Sequence, residues 1–355
     1  MKVVIDRYIP FLAEALRGQG VEVVELAPEE ITREAVADAE ALFVRTRTRV
    51  DSALLQGSRV QFVATATIGT DHLDIPYLEQ ARIAWVSAPG CNAQAVCDYV
   101  EECLRTERPL RCPTATLNDR LTAEGALYSP DSSYRTARPR QGRGVPSTAA
   151  LNDRLTLGIV GCGHVGSKVK AMAERRGMRV LVSDPPKGLH TPLKQIAAEA
   201  DVITFHTPLT RTGAFLTYHL CDAEFLVHCR PGTLIINAAR GGVVDEEALL
   251  HSGLPCAIDT WEGEPDINRD LLQHAWLASY HIAGYSLEGK INASQQVLDA
   301  FCRFFQRKAC IIDKKAVTLH ARLGDSAPGW LQRITEQLKA RPEAFEQLRK
   351  AYALR

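Results

Sequence analysis

Apolar residues fall along this chain in short runs, each bounded by polar turns and many separated by stretches of helical spacing. Runs at 2–6, 21–26, 41–44, 62–66 and 84–86 read as strands. Between the first two, residues 10–18 place Phe11, Leu12, Ala15 and Leu16 on one side of a helix that Gly18 stops. A second series begins with Leu157, Ile159 and Val160 and continues at 179–183, 202–205, 233–237, 256–259 and 277–280. Residues 293–305 follow as a helix with an apolar face. Beyond 308 the chain is mostly charged, with a helical end at 342–354. Strands alternating with helices predict an α/β protein with parallel sheets, because parallel neighbours need a crossover between them. Ligands of such sheets sit beyond the carboxyl ends of the strands, so the polar loops after each run are where chemistry is sought. In the first series one such loop is Arg45-Thr46-Arg47-Thr48-Arg49. Its alternating arginines share a face if the segment is extended, either as a phosphate grip or as a solvated edge.

Residues 103–150 break this rhythm. They are rich in Arg, Pro, Ser and Thr, carry no sustained apolar period and read as irregular. The octet at 115–122 recurs with one change at 149–156. A single repeated octet is no solenoid; it points to a local duplication or a shifted reading frame. Pro109 would end any helix that ran into this stretch. At 355 residues the chain has room for two or more domains. Its 42 Lys and Arg balance 42 Asp and Glu, so nothing global draws it to nucleic acid or to a membrane. Residues 1–10 lack a charged segment followed by an apolar one, so no secretory leader is expected. The expectation is a cytoplasmic protein with its ten scattered cysteines reduced and no metal site.

The stretch with the most specific signal opens the second series. Gly161-Cys162-Gly163-His164-Val165-Gly166 follows its first strand and reads G-x-G-x-x-G. Gly161 makes the tight turn, Gly163 lets a pyrophosphate approach the backbone, and Gly166 lets the next helix pack on the strand. That helix, over about 165–176, aims free N–H groups and its positive end at the phosphates. Asp184, at the tip of the following strand, can accept hydrogen bonds from a ribose and would repel a 2′-phosphate, which favours NAD over NADP. Cys162 reads as a small filler of the loop.

Three later strand ends carry Arg240, Glu264 and His281. A histidine suits proton exchange with a hydroxyl near neutral pH. A carboxylate on its second ring nitrogen orients it, and a guanidinium can hold a substrate carboxylate in two-pronged fashion. Gly241 and Gly242 would let a ligand approach the backbone beside Arg240. Taken singly, each residue has an ordinary reading as a surface ion pair, a loop charge or a core histidine.

Together with the glycine loop, the ordered motifs at 206–208 (H-x-P), 237–241 (N-x-x-R-G), 259–265 (D-x-x-x-x-E-P) and 281–284 (H-I-x-G) resemble those of the D-2-hydroxyacid dehydrogenase family. The resemblance implies two Rossmann-like lobes with parallel sheets and a short C-terminal helical tail. The substrate lobe is expected at 1–102, completed by 285–305, and the NAD lobe at 151–284. An insertion or hinge is expected at 103–150, and a partial dimerisation region at 306–355. It implies catalytic roles for Arg240, Glu264 and His281, with Glu262 the near rival of Glu264. It also implies cofactor contacts from Gly161, Gly163, His164, Val165, Gly166, Asp184, Thr207, Asp259 and Gly284, and substrate contacts from Thr46, Thr67 and Tyr285. Further segments at 64–72, 88–93, 184–186 and 285–290 narrow the likeness to members that oxidise 4-phospho-D-erythronate at C2 with NAD, on the way to pyridoxal 5′-phosphate, as homodimers. Another substrate of the family, such as 3-phosphoglycerate, and a non-catalytic NAD-sensing protein are the alternatives. Tyr280 stands where the family usually has proline, which would loosen the loop before His281.

Overall fold

The three central strands of the first series are buried on both faces, and their alternation decides the packing. The computed structural model of the chain describes residues 1–106, 155–312 and 329–352. The chain divides into two compact units. One comprises Met1–Val96, Gly284–Ser326 and Tyr352–Arg355; the other comprises Cys97–Ala283 and Ala327–Ala351. Residues 107–154, which hold most of the irregular stretch and its repeated octet, lie outside the described residues, while Cys103 completes the helix Ala93–Arg105 rather than starting the irregular stretch.

In the first unit β1 (Lys2–Asp6), β2 (Glu22–Leu26), β3 (Ala41–Val44), β4 (Phe62–Thr65) and β5 (Ala84–Val86) form a parallel sheet in the order β2-β1-β3-β4-β5. Val3, Ile5, Phe43 and Phe62 join Leu12, Leu16, Val297 and Phe301 in one core. Val4, Leu42, Val44 and Val63 point to the other face and join Val36, Leu54, Leu55 and Leu78. Successive side chains of one strand thus feed two cores, which is why these runs are continuously apolar. The helix Leu287–Phe304 is longer than expected. Ser286 caps it by accepting from the Gly289 N–H at 3.0 Å.

In the second unit β6 (Thr156–Val160), β7 (Arg179–Asp184), β8 (Leu189–His190), β9 (Val202–Phe205), β10 (Leu234–Asn237), β11 (Cys256–Ile258) and β12 (Leu277–Ala278) form a sheet in the order β12-β11-β10-β9-β6-β7-β8. All neighbours are parallel except the short edge strand β8, which runs antiparallel to β7. The strand order reverses at β6, which pairs with β7 on one side and β9 on the other. Ligands of open α/β sheets bind at that reversal. Among the described residues no helix is long and apolar enough to cross a membrane.

The charged tail contains an unexpected helix, Trp330–Ala340. Trp330, Leu331, Ile334 and Leu338 form its buried face. It lies on the exposed edge of β12. The Thr335 hydroxyl accepts from the Ala278 N–H at 2.9 Å, and the Lys339 ammonium donates to the Ala275 carbonyl at 2.6 Å. An edge strand left bare offers unpaired backbone groups, and here side chains of the tail take them. Replacing Thr335 by Val strips a buried N–H of its acceptor. Thermal or denaturant unfolding of Thr335→Val should show a loss of about 1–3 kcal/mol.

Candidate active site

The glycine loop follows β6, and the three glycines differ in what a side chain would meet. Gly161 has φ +89°, and a Cβ there would lie 2.8 Å from the His206 carbonyl. A Cβ on Gly166 would lie 2.0 Å from the Gly161 oxygen, so only glycine lets the helix His164–Arg175 pack so close to β6. Gly163 faces open space at the first turn of that helix, a cradle that a side chain would fill. Asp184 ends β7, and one of its oxygens accepts from the Cys162 N–H at 2.7 Å. The other oxygen is left to receive a ribose hydroxyl. Val165 is half-buried and His164 exposed at the helix start. Beside the loop, the Thr207 hydroxyl is buried with no hydrogen-bond partner among the described residues. A buried orphan of this kind beside an open glycine suits a polar ligand. The neighbouring His206 is no base: burial pushes its imidazole down to about 3.

The catalytic candidates stand on the ends of β10, β11 and β12. Asn237 ties two of these ends together. Its amide donates to the carbonyls of Arg240 and Thr260 at 3.1 and 3.2 Å. Arg240 donates to the Ala239 carbonyl at 2.8 Å, and its charge acts on His281. Gly241 serves a different purpose from the one expected. A Cβ there would lie 2.0 Å from the Trp261 oxygen, so the glycine admits the protein's own chain rather than a ligand.

His281 has φ +60°, a left-handed conformation that histidine seldom adopts. The main chain is held there by Asp259. The Asp259 carboxylate is buried and accepts from the Ser279 hydroxyl at 2.7 Å and from the Ile282 and Ala283 N–H groups at 2.7 and 3.0 Å. The His281 N–H donates to the Asp259 carbonyl at 2.9 Å. The loosening expected from Tyr280 is therefore countered by bonds on the far side of the loop. Asp259 itself spends its carboxylate on this loop, and burial raises its pKa against the pull of His281 and of its donors.

The imidazole Nδ1 lies 2.8 and 3.1 Å from the two oxygens of Glu264, which leaves Nε2 to face a reactant. Burial alone would lower the His281 pKa. The hydrogen bond and charge of Glu264 and the charge of Asp259 outweigh it, and the net direction is upward despite Arg240. Glu262 is placed elsewhere: its carboxylate meets His219 at 3.0 Å and the Tyr218 hydroxyl at 3.2 Å. Two further charged groups border the pair and were not anticipated. Arg349, on the tail helix Phe345–Ala351, brings a guanidinium nitrogen 3.8 Å from Glu264. Glu246 accepts from the Glu262 N–H at 2.6 Å. Neither lies in a motif. The buried period of Phe345 and Leu348 was the available sign that the tail docks.

The residues of the first unit are described separately. Thr46 is exposed, and Thr67 donates to the Gly69 carbonyl at 3.2 Å and shares a 2.6 Å hydrogen bond with Thr65. Tyr285 is partly exposed, with the Lys290 ammonium 5.3 Å from its ring centre. Gly284 is close-packed: a Cβ would lie 2.1 Å from the Asn92 amide nitrogen. The three arginines after β3 do not share a face, because the segment is a turn, with the Thr48 N–H donating to the Arg45 carbonyl at 3.2 Å. Arg45 turns in to the buried Asp6 at 3.0 Å, and Arg49 turns out to Asp51 at 3.0 Å.

Comparison with known proteins agrees with this geometry. The profile of the D-isomer specific 2-hydroxyacid dehydrogenase NAD binding domain matches residues 133–283. The chain is 38% identical to the erythronate-4-phosphate dehydrogenase of Bacteroides thetaiotaomicron, with all of this chain and 97% of the relative covered. It is 40% identical to the enzyme of that name from Pseudomonas aeruginosa, covering 85% of this chain and 72% of the relative. Among solved structures, its fold is similar to NAD-bound 3-phosphoglycerate dehydrogenase of Entamoeba histolytica (TM-score 0.63, 24% identity, 86% of this chain and 95% of that one). It is likewise similar to Aquifex aeolicus D-lactate dehydrogenase with NAD and lactic acid (TM-score 0.60, 23% identity, 86% and 95%).

Glu246 yields a prediction that needs no substrate. Its side chain is 7% exposed. Burial raises its pKa from 4.5 to about 7; the Glu262 N–H opposes the rise, and the charges of Glu262, Glu264 and Asp245 add to it. The native state then binds this proton more tightly than the unfolded state does, so stability falls as pH rises through that window. Glu246→Gln keeps an acceptor and removes the charge. Thermal unfolding should show the variant matching the parent near about pH 5 and exceeding it near about pH 8, by up to about 3 kcal/mol. A difference that does not vary with pH would contradict this assignment.

Proposed function

This chain belongs to the D-isomer-specific 2-hydroxyacid dehydrogenase family, and on that premise we propose that it oxidises 4-phospho-D-erythronate at C2 to 2-oxo-3-hydroxy-4-phosphobutanoate, a step of pyridoxal 5′-phosphate synthesis. The observation that carries the chemistry is the hydrogen bond between His281 Nδ1 and Glu264, which sets the imidazole with Nε2 free. The substrate class is supported by the relatives of that name.

NAD, held by the glycine-loop unit, supplies the hydride acceptor. Gly161, Gly163, His164, Val165 and Gly166 would line its pyrophosphate, Asp184 its ribose, and Thr207, Asp259 and Gly284 would complete the contacts. Asp259 acts there mainly through the loop it fixes. Arg240 grips the substrate carboxylate and polarises the forming carbonyl. As the C2 hydrogen departs with its electron pair, His281 Nε2 takes the hydroxyl proton, and Glu264 stabilises the imidazolium. Thr46, Thr67 and Tyr285 would contact the rest of the substrate. The reading includes a cytoplasmic homodimer acting on a small phosphorylated 2-hydroxy acid, with no nucleic acid or membrane partner.

The test is an NADH-fluorescence assay over phosphorylated 2-hydroxy and 2-oxo acids. We expect turnover of 4-phospho-D-erythronate above 3-phosphoglycerate, and NAD preferred to NADP. His281→Asn should bind NADH normally and lose about 10²–10⁴ in kcat. Preferred turnover of 3-phosphoglycerate would reassign the substrate. Binding of NADH with no 2-oxo acid reduced would leave a nucleotide-sensing protein.

A further inference from the structure

We propose that Arg349 is a positioning residue for the Glu264–His281 pair: its guanidinium backs the Glu264 carboxylate and, as a second cation across it, eases the proton off the imidazole. The inference rests on the reading of His281 as the base. One guanidinium nitrogen lies 3.8 Å from Glu264 Oε2, the same oxygen that receives His281 Nδ1 at 2.8 Å. The other lies 2.7 Å from Glu346 on the preceding turn. The guanidinium is thus anchored along one edge and presents the other to the pair. Phe345 and Leu348, both buried, fix the rotation of this short helix and so the direction in which Arg349 points. Glu264 and Arg349 are 19% and 30% exposed, so their interaction is only partly screened by water.

Three charges in a row follow: guanidinium, carboxylate, imidazole. Arg349 opposes a second cation on the far side of the carboxylate. The remaining groups around the pair are Asp259 under the His281 loop, Arg240 at the end of β10, and Glu246, whose charge acts on Glu264. Glu262 is turned away to His219 and Tyr218, and the Trp261 N–H occupies Glu264 Oε1 at 2.8 Å. Asp259 and Glu264 strengthen the hold of His281 on its proton. Arg349 weakens that hold, and a base that must be empty to begin oxidation is then ready at lower pH.

The test combines an NMR titration of the histidine rings in the full-length protein with the pH profile of kcat/KM for oxidation. In Arg349→Gln both the His281 titration and the acid limb of the profile should move up by about half a pH unit. In Glu346→Gln both should move down, because the guanidinium loses its local counter-charge. Arg349→Lys should restore the parent values. A merely loosened helix would move the two glutamine variants the same way, and that result overturns the proposal, as does an unmoved titration in folded Arg349→Gln. Should Arg349→Gln fail to fold, the sign of the Glu346→Gln shift decides. A shifted titration in a protein that oxidises no hydroxy acid keeps the positioning role and removes the dehydrogenase reading; turnover with an unmoved titration does the reverse.

Discussion

A buried carboxylate under a backward-bent loop is the constraint on which the catalytic arrangement depends. Asp259 is removed from water, which costs several kcal/mol for an ionised group unless donors replace the lost hydration (about 1–3 kcal/mol each when charged). Here the Ser279 hydroxyl and two successive N–H groups replace it. Those same N–H groups flank His281 on its C-terminal side, and the His281 N–H is bound to the main chain of Asp259. Backbone strain at His281 and burial of a charge beneath it, each unfavourable alone, support one another.

From that fixed point the roles of three neighbouring carboxylates diverge through their surroundings. Glu264 faces an imidazole and a guanidinium. Glu262 differs from it by two positions and faces His219 and Tyr218. Glu246 is buried with an N–H donor and three like charges nearby, and burial above all pushes its carboxyl up to about 7. Side-chain chemistry is the same in all three cases; burial and partners separate them.

Much of this was legible in the chain. The strand ends were placed within a residue or two, because apolar runs buried on both faces leave a clear boundary where the polar loop begins. The glycine spacing was legible because sterics permit no other residue at Gly161 and Gly166. Other features depended on contacts distant in sequence. Gly241 looks like an opening for a ligand until Trp261 lies against it. Arg45, Arg47 and Arg49 alternate as a strand would, yet a single turn hydrogen bond disperses them, and the buried Asp6 claims the first. The helix Trp330–Ala340 was hidden by its charged composition, although Trp330, Leu331, Ile334 and Leu338 carry the helical period.

That tail joins stability to site chemistry in one segment. β12 is an edge strand, and its bare N–H and C=O groups must be met by something other than another strand. Thr335 meets both groups of Ala278, Lys339 binds the Ala275 carbonyl just before the strand, and four apolar side chains bury the helix that carries them. β12 also leads into the loop that carries His281. A segment docked on its edge therefore continues, one short turn later, beside the loop that β12 feeds, and Phe345 and Leu348 hold it there. Arg349 reaches Glu264 because the edge needed covering: the segment that closes the sheet delivers a cation to the carboxylate behind His281.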